Sequence, residues 1–224
     1  MLPLWDTEKL RRSTPVTGLL VTLNLGVFAA ELLIAAFNPE LFERLMGEYA
    51  LVPAAWRRGW QSGGGWLPVG SSMFLHGGVA HVAGNMWFLW VFGRSLEARI
   101  GSFSFLLIYA VGGVGAALAQ ILTATDPQVP MVGASGAISA VLGAYLVLLP
   151  HRWIISLVPW IVPIIPVPAV VFLVLWFVVQ LMNGVGSLQG AGSGGVAWWA
   201  HAGGFAFGMS LAALAGGRRQ GRKT

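Results

Sequence analysis

Ser135 stands within GASGA at residues 133–137, a hydroxyl flanked by glycines where an apolar run begins. Small neighbours leave the backbone uncovered, and a helix opening at the serine would present free N–H groups and the positive end of its dipole. Acyl transfer needs that environment, because negative charge develops on the substrate oxygen. The same residues also read as an N-cap with small-residue packing, since Gly136, Ala140 and Gly143 or Ala144 would let helices approach closely.

The titratable candidates are His76, His81, His151 and His201. In FLHGGVAHVAGNMWFLW, His81 and Asn85 are four residues apart, so on a helix they share a face and converge on one point. They read either as paired donors to a reacting group or as polar glue between membrane helices. His76 precedes that helix and is expected to tie down the outer loop, while His151, beside Arg152, is expected to be solvated.

His201 opens the last apolar run in VAWWAHAGGFAFGMSL, followed by Gly204 and Gly208 in GxxxG spacing. That spacing brings a neighbouring backbone close. If the neighbour is the run opening at Ser135, His201 comes within hydrogen-bond reach of the serine and can serve as its base. No acid lies near His201 in sequence, and Asp126 is the only acid in an outer segment close to the site, so no third member is assigned. The chain has no cysteine, which removes thiol nucleophiles and thiolate-bound metals. There is no HExxH, and His76 and His81 are five apart rather than four, which disfavours a helical metal pair. Glu31 is the only acid inside a predicted span, against an aspartyl mechanism. No cofactor is expected.

Positioning these groups falls to membrane helices. Of 224 residues, 56% are hydrophobic and 9% charged, far below the roughly 25% charged of a soluble domain. Six apolar runs are candidate spans: 16–37, 73–93, 103–122, 135–149, 168–183 and 197–215. The fourth has 15 residues and reaches only roughly 22 Å, so its start is expected to sink below the outer surface beside non-helical backbone lining a watery cavity. Ser135 would sit at the floor of that cavity.

The net charge of +5 does not point to nucleic acid, because the basic residues lie in short loops between apolar runs. With the N-terminus inside, Lys9, Arg11, Arg12, Arg94, Arg99, Arg152, Arg218, Arg219, Arg222 and Lys223 are inner, against Arg44, Arg57 and Arg58 outside. This asymmetry places both termini in the cytoplasm. MLPLWDTEKLRRSTP is too polar for a signal peptide and too acidic for a typical transit peptide, so the first span is expected to do the targeting. Glu31 is expected to reach the interface, and the loop 38–66 to rest in the headgroup layer. The stretch 154–168, broken by Pro159, Pro163, Pro166 and Pro168, predicts an irregular interfacial linker. The Gly/Ser-rich loop 184–196 reads as a lid or as a plain connector.

HGGVAHVAGN in the second span, GASG opening the fourth and AHAGG in the last, in that order, resemble the rhomboid family of intramembrane serine proteases. GRSLEARIG after the second span, and Trp56 with Arg57 in the first outer loop, add to the likeness, which runs from about residue 16 to 215. The resemblance implies an all-α, polytopic six-helix membrane domain at 16–215 with a short central fourth helix. A cytoplasmic segment, 1–15, would precede it and a basic tail, 216–224, would follow. It implies an intramembrane endopeptidase in which Ser135 is the nucleophile, His201 the general base, His81 and Asn85 the oxyanion donors beside the Ser135 N–H, and His76 structural. Its partners would be transmembrane protein substrates and the lipid bilayer, and the compact form suits a bacterial cytoplasmic membrane. The family often places an aromatic residue one turn after the serine; Ser139 stands there, leaving the support of the imidazole unassigned. The alternative is a non-catalytic scaffold on the same fold that binds membrane clients, which would be expected to lack the serine or the histidine. A transporter would call for paired ionisable groups and internal symmetry, and neither is visible.

Overall fold

Long apolar runs without internal proline become helices, and the proline-rich apolar run becomes something else. The computed structural model describes the chain except residues 8, 9, 11, 61–64, 125, 159–161, 189–195 and 221–224. Lys9, Arg11, Arg222, Lys223, Pro159 and the 189–195 part of the Gly/Ser-rich loop lie outside the described residues.

In chain order, β1 (Leu2–Asp6) leads to α1 (Pro15–Phe37), then α2 (Pro39–Tyr49), α3 (Pro53–Trp60) and α4 (Trp66–Ser71) fill the first long loop. α5 (Val79–Phe88) continues through a π-turn at Leu89–Gly93 into α6 (Arg94–Ile100). α7 (Ser102–Thr123), α8 (Ser135–Leu148), β2 (Trp153–Val158), β3 (Val162–Pro168), α9 (Ala169–Leu188) and α10 (Trp198–Gln220) complete the fold. Among the described residues α1, α7 and α9 are long and apolar enough to cross a bilayer. With the composition, they make the chain an integral membrane protein.

α8 is the centre. Every residue from Gly136 to Tyr145 is buried, so this helix is covered on all sides, as its uniformly apolar sequence requires. α7 and α10 pack against it through small residues. A Cβ at Gly208 would overlap the Ala140 carbonyl oxygen, one at Gly204 the Gly136 carbonyl, and one at Gly143 the Phe205 carbonyl. The two helices therefore touch backbone to backbone, the approach that the GxxxG spacing anticipates.

A single carboxylate ties three helices at the opposite end. Pro15 at the start of α1 lacks an N–H, and Thr14 gives no side-chain cap, so the next amides need an acceptor. Glu97 of α6 supplies it, taking the Val16 N–H at 3.0 Å, the Thr17 N–H at 2.8 Å and the Thr17 hydroxyl at 2.7 Å. Its other commitment is the Ser102 hydroxyl, 2.7 Å away at the head of α7.

Three expectations are corrected. The chain is not all-α: β1, β2 and β3 form an antiparallel sheet in that order, with Asp6 opposite Ile154 and Ser156 opposite Ile165. The stretch 154–168 is thus no irregular linker. Its prolines forbid helix, but their fixed φ suits extended backbone, and those of β3 lie on an edge strand where a missing N–H costs little. The Val and Ile between them favour strand. Asp6 anchors the sheet to α8, accepting from the Tyr145 hydroxyl at 2.7 Å and from Arg152 at 2.8 Å. Second, Glu31 does not reach an interface: it is 8% exposed, on the buried face of α1 with Thr17, Leu20, Asn24 and Phe28. Third, residues 184–188 are helical, extending α9 into the segment expected to be loop.

Gly208→Val should cost on the order of 3 kcal/mol, read as a lowered unfolding midpoint in detergent micelles, because the new side chain must push α10 off α8. Glu97→Ala should cost about 3 kcal/mol by the same measurement, since it strands four donors at once, two of them buried and two partly buried.

Candidate active site

The backbone ahead of Ser135 is held before α8 begins. Leu51 and Met131 exchange N–H···O bonds of 3.1 and 2.8 Å, and the Gly133 N–H donates to the Ser72 carbonyl at 2.8 Å. Gly133 has φ +117°, which side-chain-bearing residues rarely adopt. A Cβ there would lie 2.6 Å from His81 Nε2 and 3.4 Å from Asn85 Nδ2. Glycine thus serves two ends: it allows the turn, and it lets the loop run directly against both side chains. The sequence reading credited it only with leaving backbone uncovered.

Ser135 is the first residue of α8 and His201 lies in the first turn of α10, so the close packing of these helices brings the two side chains together. Ser135 Oγ and His201 Nε2 are 2.8 Å apart. The other ring nitrogen, Nδ1, is 2.9 Å from Gln180 Oε1 on α9. Two indoles flank the ring: Trp176 at 6.1 Å and 36°, and Trp198 at 6.1 Å and 89°. Ser139, in the place of the expected aromatic, donates instead to the Ser135 carbonyl at 2.7 Å. Asp126 accepts the Gln128 N–H at 2.9 Å and does not line the cavity.

His81 and Asn85 share one face of α5 and line the same cavity as Ser135 and His201. The Gly77 N–H points at His81 Nδ1, 3.4 Å away, which makes Nδ1 the acceptor and leaves Nε2 as the N–H facing the Gly133 loop. Asn85 is 8% exposed, and its Nδ2 has no hydrogen-bond partner among the described residues. A buried donor left open is costly unless something accepts from it. His76 sits behind this pair, edge-on to the His81 ring at 5.3 Å and to Phe28 at 6.3 Å. Its Nδ1 is 3.1 Å from the Phe74 carbonyl, and its backbone N–H donates to the Glu31 carboxylate at 3.2 and 3.3 Å. Glu31 thereby fixes the turn from which α5 starts.

The cavity has a volume of about 680 Å³ and lies at the N-terminal ends of α5, α8 and α10, against the middle of α9. Ile138, Leu142, Phe88 and Trp176 give it apolar walls, and the polar groups converge at its floor. Among the described residues no cluster of three His, Cys, Asp or Glu side chains is placed to hold a metal ion. A hydroxyl bonded to an imidazole, next to unpaired donors and a helix N-terminus, can attack a carbonyl and hold the resulting oxyanion. Glu31, expected from sequence only at the interface, and Gln180, which carries no expectation from sequence, border the site. Each was visible as a lone polar residue in an apolar run, where burial without a partner is expensive.

Comparison with known proteins bears on the same residues. The rhomboid domain model matches residues 63–218. RHOMBOID-like protein 9, chloroplastic, of Arabidopsis thaliana is 40% identical over 84 residues, covering 38% of this chain and 19% of that protein. Rhomboid protease GluP of Bacillus subtilis is 40% identical over 83 residues, 37% of this chain and 16% of its own length. Putative rhomboid protease YdcA of Bacillus subtilis is 34% identical over 89 residues, 40% of this chain and 44% of its own length. The chain thus spans less than half of each of these relatives. The domain match extends across most of the chain, including the segments that bear Ser135, His201, His81 and Asn85, and on that ground the chain belongs to the rhomboid family.

Proposed function

We propose that the protein is an intramembrane serine endopeptidase that cuts transmembrane segments of other membrane proteins. The observation that carries this reading is the 2.8 Å contact between Ser135 Oγ and His201 Nε2, made between the buried helix α8 and its close-packed neighbour α10 at the edge of a cavity. In the proposed reaction the imidazole takes the hydroxyl proton as Oγ attacks a peptide carbonyl. The tetrahedral oxyanion is held by the Ser135 N–H, His81 Nε2–H and Asn85 Nδ2–H. His201 then returns the proton to the departing amine, and water enters to release the acyl group by the same exchange in reverse.

Six spans fit this reading: α1, α5 with its π-turn, α7, α8, α9 and α10. α8 has 14 residues, roughly 21 Å, so in a six-span arrangement its first residue lies below the membrane surface and the cavity opens outward. Both termini are then cytoplasmic, and the membrane is a bacterial cytoplasmic membrane. A substrate helix hides its carbonyls in its own hydrogen bonds, so local unwinding, helped by small or helix-weakening residues, must precede attack.

Purified in detergent, wild-type protein should be labelled at Ser135 by a fluorophosphonate probe, and Ser135→Ala and His201→Ala should not. Equal labelling of all three would favour a non-catalytic scaffold. Asn85→Ala should lower turnover of a transmembrane substrate by about 10² to 10³ while leaving the thermal midpoint nearly unchanged. Gly133→Ala should impair turnover comparably, about 10²-fold, because its methyl group displaces His81; a fully active variant would place His81 outside the oxyanion site.

A further inference from the structure

We propose that Gln180 of α9 is the positioning residue for His201, selecting the imidazole tautomer and completing a neutral serine–histidine–glutamine relay across three helices. The inference rests on the endopeptidase reading and extends it to a residue that no motif marks.

Gln180 is 6% exposed and has two chemically opposite ends, which must face complementary partners. Its Nε2 lies 3.3 Å from the Trp176 carbonyl one turn earlier on α9. A carbonyl can only accept, so the NH₂ group faces it and Oε1 faces the opposite way. Oε1 is 2.9 Å from His201 Nδ1. An amide oxygen can only accept too, so Nδ1 carries the proton. The neutral ring then has its lone pair on Nε2, 2.8 Å from Ser135 Oγ, where a hydroxyl proton can be received. Each link dictates the next, and donation runs from the serine hydroxyl on α8 through the imidazole and the amide to the Trp176 carbonyl of α9.

The flanking rings cannot do this alone. Trp176 and Trp198 confine the tilt of the imidazole but do not distinguish its two nitrogens. Ser139 is committed to the Ser135 carbonyl and does not bond the ring. A neutral orienter also suits the place. A carboxylate in this apolar helix would carry a desolvation cost whenever the imidazole is uncharged.

A polar bridge between α9 and α10 would add stability whether or not it serves catalysis, so stability is not the deciding readout. Gln180→Leu removes the acceptor, whereas Gln180→Glu keeps an acceptor oxygen at the same reach whether ionised or protonated. Turnover of a transmembrane substrate and the rate of fluorophosphonate labelling are measured for wild type and both variants in the same micelles. A wrong tautomer in a serine protease costs on the order of 10⁴ in turnover with a charged orienter. For a neutral one, Gln180→Leu is expected to lose about 10²-fold in kcat and in labelling rate with KM within about twofold, and Gln180→Glu to recover at least about a tenth of wild-type turnover. Loss in both variants, or in neither, overturns the assignment. Failure of wild-type protein to label at Ser135 would instead strike the endopeptidase reading on which the relay is built.

Discussion

The site depends on how closely α8 and α10 can approach. Hydroxyl and imidazole belong to residues 66 apart in sequence, with no local geometry to hold them, and their separation is set by the helix axes. The carbonyls of Ala140 and Gly136 rest where Cβ atoms of residues 208 and 204 would otherwise be, and Phe205 stands likewise over Gly143. Lipid offers no hydrophobic drive to press helices together, so van der Waals contact between bare backbones has to supply the attraction. A packed interface of this kind does not deform gradually. The same contact that stabilises the bundle therefore fixes the relative position of Ser135 and His201.

Around that seam the polar groups are arranged in two layers. Asn85 Nδ2 and the His81 Nε2–H lie at the cavity without a protein acceptor, whereas behind them the His76 N–H and the Glu31 carboxylate hold the turn into α5, and the His76 ring packs edge-on against His81. The division has an energetic logic. An unpaired donor is tolerable where a ligand can reach it, and a buried carboxylate with no such access needs protein donors. Glu31 meets this condition by accepting a backbone N–H, and Glu97 meets it fourfold at the other end of the bundle.

Much of this was legible in the residues, and the exceptions share a cause. Apolar runs located α1 and α7 within a residue and α9 and α10 at their starts, the brevity of the run at Ser135 anticipated a 14-residue α8, and Gly204 and Gly208 after His201 pointed to a close neighbour. Glu31 went astray because its depth was judged along the helix, not around it. Its spacing from Thr17, Asn24 and Phe28 puts it on their face, and that pattern is readable once the buried side is known. Gln180 belongs to the same class: the residue is conspicuous among FLVLWFVVQLM, but its partner is 21 positions away on another helix. Periodicity reports faces; it does not report which helix a face meets.

The sheet shows a different limit. Prolines in 154–168 rule out helix on local grounds, and loop is the default left over when one option is removed. Strand required a partner, and half of the partnership comes from Leu2–Asp6 at the other end of the chain. Once β1 is present, Val and Ile alternate between prolines that an edge can accommodate, and Trp87 donates to the Pro3 carbonyl to bind the strand to α5. Asp6 then meets Tyr145 and Arg152 at the far end of the helix that begins with Ser135. α8 is thereby held at both ends by segments outside the helical bundle: its start through Leu51 and Ser72, its finish through the amino-terminal strand. A helix of 14 residues cannot be positioned by lipid alone. Anchoring each end in protein is what allows so short a helix to keep its first residue fixed beside His201.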